Sequence, residues 1–153
     1  MNDRNEQLNR IPLFQGLSLE EIAVLDQYLG EMELAAGEAV FREGEKGDFV
    51  CFVTAGELEV IKQSLNAGVT TMALLGKGRS IGEMALIDEL PRSATVQARS
   101  DARLTLLSRS AFEALSREAP EIGIKILKHL ARSLSLSLRR TSNTLSDSLD
   151  LMA

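Results

Sequence analysis

Apolar residues change their spacing twice along the chain. Ile22, Leu25 and Leu29 recur by threes and fours, the stripe of an amphipathic helix. Ser18 followed by Glu21 forms the capping-box pattern that opens such a helix, and Gly30 is placed to end it. Between residues 31 and 108 the texture turns to short β-rich runs punctuated by Gly37, Gly44, Gly47, Gly56, Gly68, Gly76, Gly78 and Gly82, as in a sandwich or barrel. Asn66-Ala67-Gly68, between the runs 57–64 and 69–75, reads as a hairpin loop. After residue 107 the helical period returns. Ser110 is placed to cap a helix through Phe112 and Leu115. Pro120 opens a long final helix with Ile122, Ile126, Leu127, Leu130, Leu134, Leu138 and Leu145 spaced by threes, fours and sevens. The predicted architecture is mainly β with flanking helices (α+β), a β-roll framed by an N-terminal helix and C-terminal helices.

Composition adds bounds. The chain has 153 residues, 44% hydrophobic and 25% charged, enough for one domain burying about 68–70% of its unfolded surface. It reads as a single domain over 1–153, with 1–10 a flexible polar end, 11–30 the N-terminal helix, 31–108 the β-roll and 109–149 the C-terminal helices. The first ten residues lack an apolar core of signal-peptide type, and no apolar run approaches the ~20 residues of a membrane span, so a cytoplasmic setting without membrane contact is expected. The one cysteine, Cys51, lies in the apolar run Phe49-Val50-Cys51-Phe52-Val53 and reads as a buried thiol. With His129 the one histidine, neither a cupin-type metal site nor a Ser/His/Asp or Cys/His catalytic set is available. No catalytic residue, cofactor or metal is therefore expected. A net charge of −5 argues against a nucleic-acid partner.

Candidate chemistry concentrates where residues 79–96 interrupt the strands. Gly82-Glu83-Met84-Ala85-Leu86 offers bare backbone amides and a carboxylate, and Pro91-Arg92-Ser93-Ala94-Thr95 a guanidinium and a hydroxyl. A glycine lets backbone approach a phosphate closely, and Arg92 supplies a planar fork for two phosphate oxygens. Glu83 would repel a phosphate and suits a sugar hydroxyl. The window fits a ligand that joins a phosphodiester to a sugar. The alternative is an ordinary loop whose Glu83 and Arg92 form a surface ion pair worth at most about 1 kcal/mol. Asp88 and Glu89 place further negative charge beside the proposed phosphate.

Together with Pro12-Leu13-Phe14, Gly16-Leu17-Ser18, Phe41-Arg42-Glu43-Gly44, Gly47-Asp48, Gly56 and Leu130-Ala131-Arg132, this window resembles the cyclic nucleotide-binding domain family over residues 11–140. Ile81 departs from the pattern, where members often carry Phe. The resemblance implies a double-stranded β-helix, or jelly roll, with a phosphate-binding cassette over 80–96. It implies nucleotide-binding roles for Gly82, Glu83, Met84, Ala85, Arg92 and Ser93, with Glu83 on the ribose and Arg92 on the cyclic phosphate. Serine at position 93 matches bacterial members that bind cyclic AMP, whereas threonine there favours cyclic GMP in eukaryotic members; cyclic AMP is the favoured ligand.

By family register the base would stack on Val60, Ala73, Leu75 and Met84, residues equally explained as roll core. Ser137 falls where members of the catabolite activator type place a base-contacting hydroxyl, with a solvated serine as the alternative. No Trp is present and Tyr28 is the one Tyr, so an aromatic lid from the last helix is excluded. The resemblance further implies that ligand draws the cassette inward and closes that helix over the base. Lys125, Lys128, Arg132, Arg139 and Arg140 give the helix a basic stripe, too sparse for DNA and read as a solvated face. Leu130, Leu134, Leu138, Leu145 and Leu149 approximate heptad spacing and could seal a homodimer or receive an effector protein. Lacking the family's DNA-binding, kinase or channel segments, the chain is expected to be a non-enzymatic sensor that signals to a partner or dimer. The alternative is a member that has lost its ligand and serves as an interaction module.

Overall fold

The computed structural model describes residues 3–152 apart from Leu65 and Ala67. Among these, eight strands form two four-stranded antiparallel sheets. One has the order β1 (Gly30–Leu34), β8 (Ala102–Ser108), β3 (Phe49–Ala55), β6 (Ser80–Ile81); the other β2 (Ala39–Phe41), β7 (Thr95–Ala98), β4 (Leu58–Ser64), β5 (Gly68–Leu75). This is the jelly-roll β-roll expected from the sequence. β4 and β5 pair from Leu58↔Leu75 to Ser64↔Gly68, so the predicted hairpin exists, although its loop residue Ala67 lies outside the described residues.

The run around Cys51 is apolar throughout because β3 is covered on both faces. Cys51 and Val53 pack inside the roll with Leu34, Leu58, Leu75, Val96 and Leu104. Val50 and Phe52, alternating with them, face a second core shared with the helices, where Phe14 meets Phe52 at a ring separation of 4.9 Å. That helical layer comprises α1 (Asp3–Asn9), a 3-10 turn (Pro12–Phe14), α2 (Leu19–Asp26), α3 (Arg109–Glu118) and α4 (Pro120–Met152).

Three expectations shift. The polar end contains α1, whose Leu8 is fully buried and whose Arg4 pairs with Asp26 and Glu31. The capping box of Ser18 and Glu21 opens α2 as predicted, but the helix ends at Asp26 and Gly30 opens β1 opposite Leu106. Ser108, not Ser110, caps α3: its side chain accepts from the Ala111 amide at 3.1 Å because β8 runs straight into the helix. In α4, Ile122, Ile126 and Leu130 are buried on the core, whereas Leu138, Leu145 and Leu149 stand exposed beyond it.

Candidate functional site

The cassette follows β6 as a left-handed glycine and a single 3-10 turn. Gly82 has φ +85°, a conformation glycine adopts without Cβ strain, and Glu83–Leu86 complete the turn with the Ala85 amide bonded back to the Gly82 carbonyl at 3.0 Å. Leu86 anchors the turn in the helical core. Pro91 and Arg92 are stitched to the loop after β2: the Arg92 amide donates to the Glu45 carbonyl at 2.7 Å, and its carbonyl accepts from Gly44 at 2.9 Å. Between the two halves opens a cavity of about 460 Å³. Gly82, Glu83, Met84, Ala85, Arg92 and Ser93 all line it, as do Val60, Phe41, Ile81, Leu90 and Val96.

Arg92 dominates the electrostatics of this cavity. Its side chain is buried at 8% exposure and lies over the Phe41 ring at 4.0 Å. One guanidinium nitrogen donates to the Phe49 carbonyl at 2.6 Å, and the buried Nε has no partner. Two glycines make the slot. A Cβ on Gly82 would lie 2.3 Å from Arg92 Nη1, and one on Gly47 would lie 2.8 Å from its Cζ. Burial pulls the Arg92 pKa below its ordinary value, against the opposing pull of Cys51, Asp48 and Glu45. The group stays cationic, since arginine titrates far above physiological pH.

Glu83 and Arg92 form no ion pair among the described residues, so the ordinary surface pair is not what the fold builds. The Glu83 carboxylate accepts from Ser80 Oγ at 2.5 Å and also borders a second cavity of about 250 Å³ with His129, Arg132 and Ser133 of α4. Glu89 is tied to Arg109 at 3.1 Å, and the Asp88 carboxylate accepts from the Leu90 amide at 3.2 Å. Glu89 is thus neutralised outside the cavity beside Arg92, whereas Asp88 lines that cavity and keeps its negative charge there.

The proposed base contacts are not gathered equally. Val60 lines the cavity and Met84 is partly exposed at its edge. Ala73, opposite Val60 on β5, is exposed; Leu75 is buried in the roll core; neither borders the cavity. Ser137 is exposed on α4, its carbonyl accepting from the Thr141 hydroxyl at 3.0 Å. Sequence reasoning gave no site role to Phe41 and Gly47, which line the guanidinium slot. The signal for Gly47 was its neighbourhood of glycines, but which side chain it admits is a tertiary fact.

No helix among the described residues is long and apolar enough to cross a membrane, and no group of three metal-ligating side chains is present among them.

A buried guanidinium, a carboxylate and a hydroxyl thus line one open cavity of a jelly roll. Residues 31–119 match the family described as cyclic nucleotide-binding domain, and the chain belongs to that family. It is 35% identical over 123 residues to the cyclic AMP receptor protein of Thermus thermophilus, covering 80% of this chain and 57% of that one. It is 29% identical over 143 residues to a CRP-like cAMP-activated global transcriptional regulator of Mycobacterium tuberculosis, covering 94% and 62%. A crystal structure of a cyclic nucleotide-binding domain from Methylobacillus flagellatus KT matches with a TM-score of 0.81 and 32% identity, covering 93% of this chain and 82% of that one. The chain thus spans about three fifths of the length of the two regulators.

Proposed function

We propose that the chain is a cyclic nucleotide sensor that prefers cyclic AMP to cyclic GMP and carries no reaction of its own. The observation that carries this reading is Arg92, a buried cation with an unpartnered Nε at the wall of a cavity shared with Glu83 and Ser93. A guanidinium withdrawn from water without a carboxylate partner is costly, and an arriving phosphate offsets that cost. In this reading Arg92 and Ser93 take the cyclic phosphate, Glu83 turns from Ser80 to the ribose, and the base lies along Val60 and Met84. Ser93 rather than threonine supports cyclic AMP, as do the names of the two regulators.

Signalling follows from Leu86. The cassette turn is rooted through this side chain in the core that holds Phe112, Ile126 and Leu130. Moving the turn toward a ligand therefore moves the seat of α4, and α4 would carry Ser137 toward the base. Occupancy shifts that equilibrium only if the nucleotide binds the closed arrangement more tightly. The exposed Leu138, Leu145 and Leu149 support an output through a homodimer or an effector helix. Calorimetric titration with both nucleotides, on protein checked for carried-over ligand, tests the reading. Absence of binding to either would leave a ligand-free interaction module.

A further inference from the structure

Arg109 does not border the cavity, yet it gathers the backbone that shapes it. It is the first residue of α3, directly after the cap Ser108. Its Nη1 lies 2.7 Å from the Asp88 carbonyl, 3.2 Å from that of Ala85 and 3.3 Å from that of Gly47, and its Nη2 is 3.1 Å from the Glu89 carboxylate. Its own amide donates to the Asp48 carbonyl at 2.7 Å. One side chain thus draws together the cassette turn, the segment that follows it and the loop before β3.

One of these acceptors, Gly47, belongs to the guanidinium slot itself, and Ala85 lies in the turn that Gly82 starts. Gly47 closes one side of Arg92, and Gly82 with the turn it starts closes the other. Leu86 roots the turn in the helical core, and the Ala85 amide bonds back to Gly82 while the Ile87 and Asp88 amides both bond to Met84. The carbonyls of Ala85 in the turn and of Asp88 just after it accept from Nη1 of the Arg109 fork. The same fork holds the Glu89 carboxylate, a negative charge three residues from Arg92.

We propose that Arg109 is a positioning residue for the nucleotide site: it sets the spacing of the slot and the shape of the turn before ligand arrives. The inference rests on the cyclic nucleotide reading above. A turn released by loss of Arg109 spends less time in the binding-competent shape, and apparent affinity falls by that fraction.

The test compares the wild type, Arg109→Met and Arg109→Lys. In ligand-free protein, hydrogen exchange at the Ala85, Ile87 and Asp88 amides is expected to quicken by about tenfold or more in Arg109→Met, while amides of β3 and of α3 beyond its first turn keep their protection. Cyclic AMP affinity is expected to weaken by about tenfold or more. Arg109→Lys should recover much of both, because an ammonium has three donors for three carbonyls. A merely structural role would raise exchange throughout α3, leave the affinity of folded protein unchanged and make lysine no better than methionine. Unchanged exchange at residues 85–88, or wild-type affinity in folded Arg109→Met, overturns the proposal. If Arg109→Met does not fold, Arg109→Lys decides it, since the lysine should show intermediate exchange and affinity. A wild type that binds neither nucleotide overturns the cyclic nucleotide reading itself and with it the role of Arg109 in affinity. The ligand-free exchange comparison then still separates a turn held by Arg109 from one that is not.

Discussion

Replacing Arg92 by methionine should separate ligand affinity from fold stability. Methionine keeps an apolar stem against Phe41 and Phe49 and removes the guanidinium. In the ligand-free protein the opposing terms are of similar size. The Phe49 carbonyl loses its 2.6 Å donor, a cost of about 1–3 kcal/mol. The cation stacked on Phe41 at 4.0 Å is also lost, about 0.5–2 kcal/mol. Against these, the substitution removes a buried charge with no ion-pair partner and an unsatisfied Nε, whose desolvation costs several kcal/mol. Ligand-free stability should therefore change by no more than about 2 kcal/mol. In the complex the compensation is absent, because the cyclic phosphate then stands in the cavity without its cation. Losing one partner of a desolvated charge pair costs about 2–5 kcal/mol, or about 30-fold to several thousand-fold in affinity. Denaturant unfolding without ligand and calorimetry with cyclic AMP measure the two quantities on the same preparation. A variant of wild-type affinity refutes the placement of the phosphate at Arg92. A collapse of ligand-free stability would show that the guanidinium is held for the fold rather than for a ligand.

Glu83→Ala should narrow the preference for cyclic AMP over its 2′-deoxy analogue; if the variant discriminates as sharply as the wild type, the carboxylate does not read the ribose. Ser93→Thr should raise the ratio of cyclic GMP to cyclic AMP affinity, and a ratio that stays put would place base selection on α4. Truncation after Arg140 should yield a monomer that still binds nucleotide, because the cavity lies wholly upstream of it; sedimentation showing the intact protein to be monomeric at all concentrations would exclude the homodimer. Burial pushes the Cys51 thiol from its ordinary 9.0 up to about 12. From about pH 9 upward the unfolded thiol loses its proton while the folded one keeps it, so stability falls as pH rises, by up to about 1.4 kcal/mol per pH unit from this group. The alkaline stability slope of Cys51→Ala should be shallower by that amount, and equal slopes would place the thiol in contact with water.

The order of elements was legible in the sequence because it rests on local rules. The capping box at Ser18 and Glu21, the glycine-punctuated strands and the apolar stripe of α4 each depend on neighbours a few residues apart. Where local rules compete, boundaries moved: Ser108 took the cap assigned to Ser110 because the pairing of β8 with β3 extends to that residue. The cassette residues were legible as chemistry, since glycine, carboxylate, guanidinium and hydroxyl in one window suit few ligands. What only the tertiary structure decided is the state of those groups. The sequence left a Glu83–Arg92 surface pair open, but packing buries Arg92 between Gly47, Gly82 and Phe41 and turns Glu83 to Ser80. It sends Leu75 into the roll core, leaves Ala73 and Ser137 exposed, and brings Arg109 to carbonyls 21, 24 and 62 residues away. Backbone acceptors carry no residue identity, so a side chain that organises carbonyls leaves no spacing or motif to read. Periodicity records which face of a strand or helix is buried, and only the closed roll decides which distant groups meet across that face.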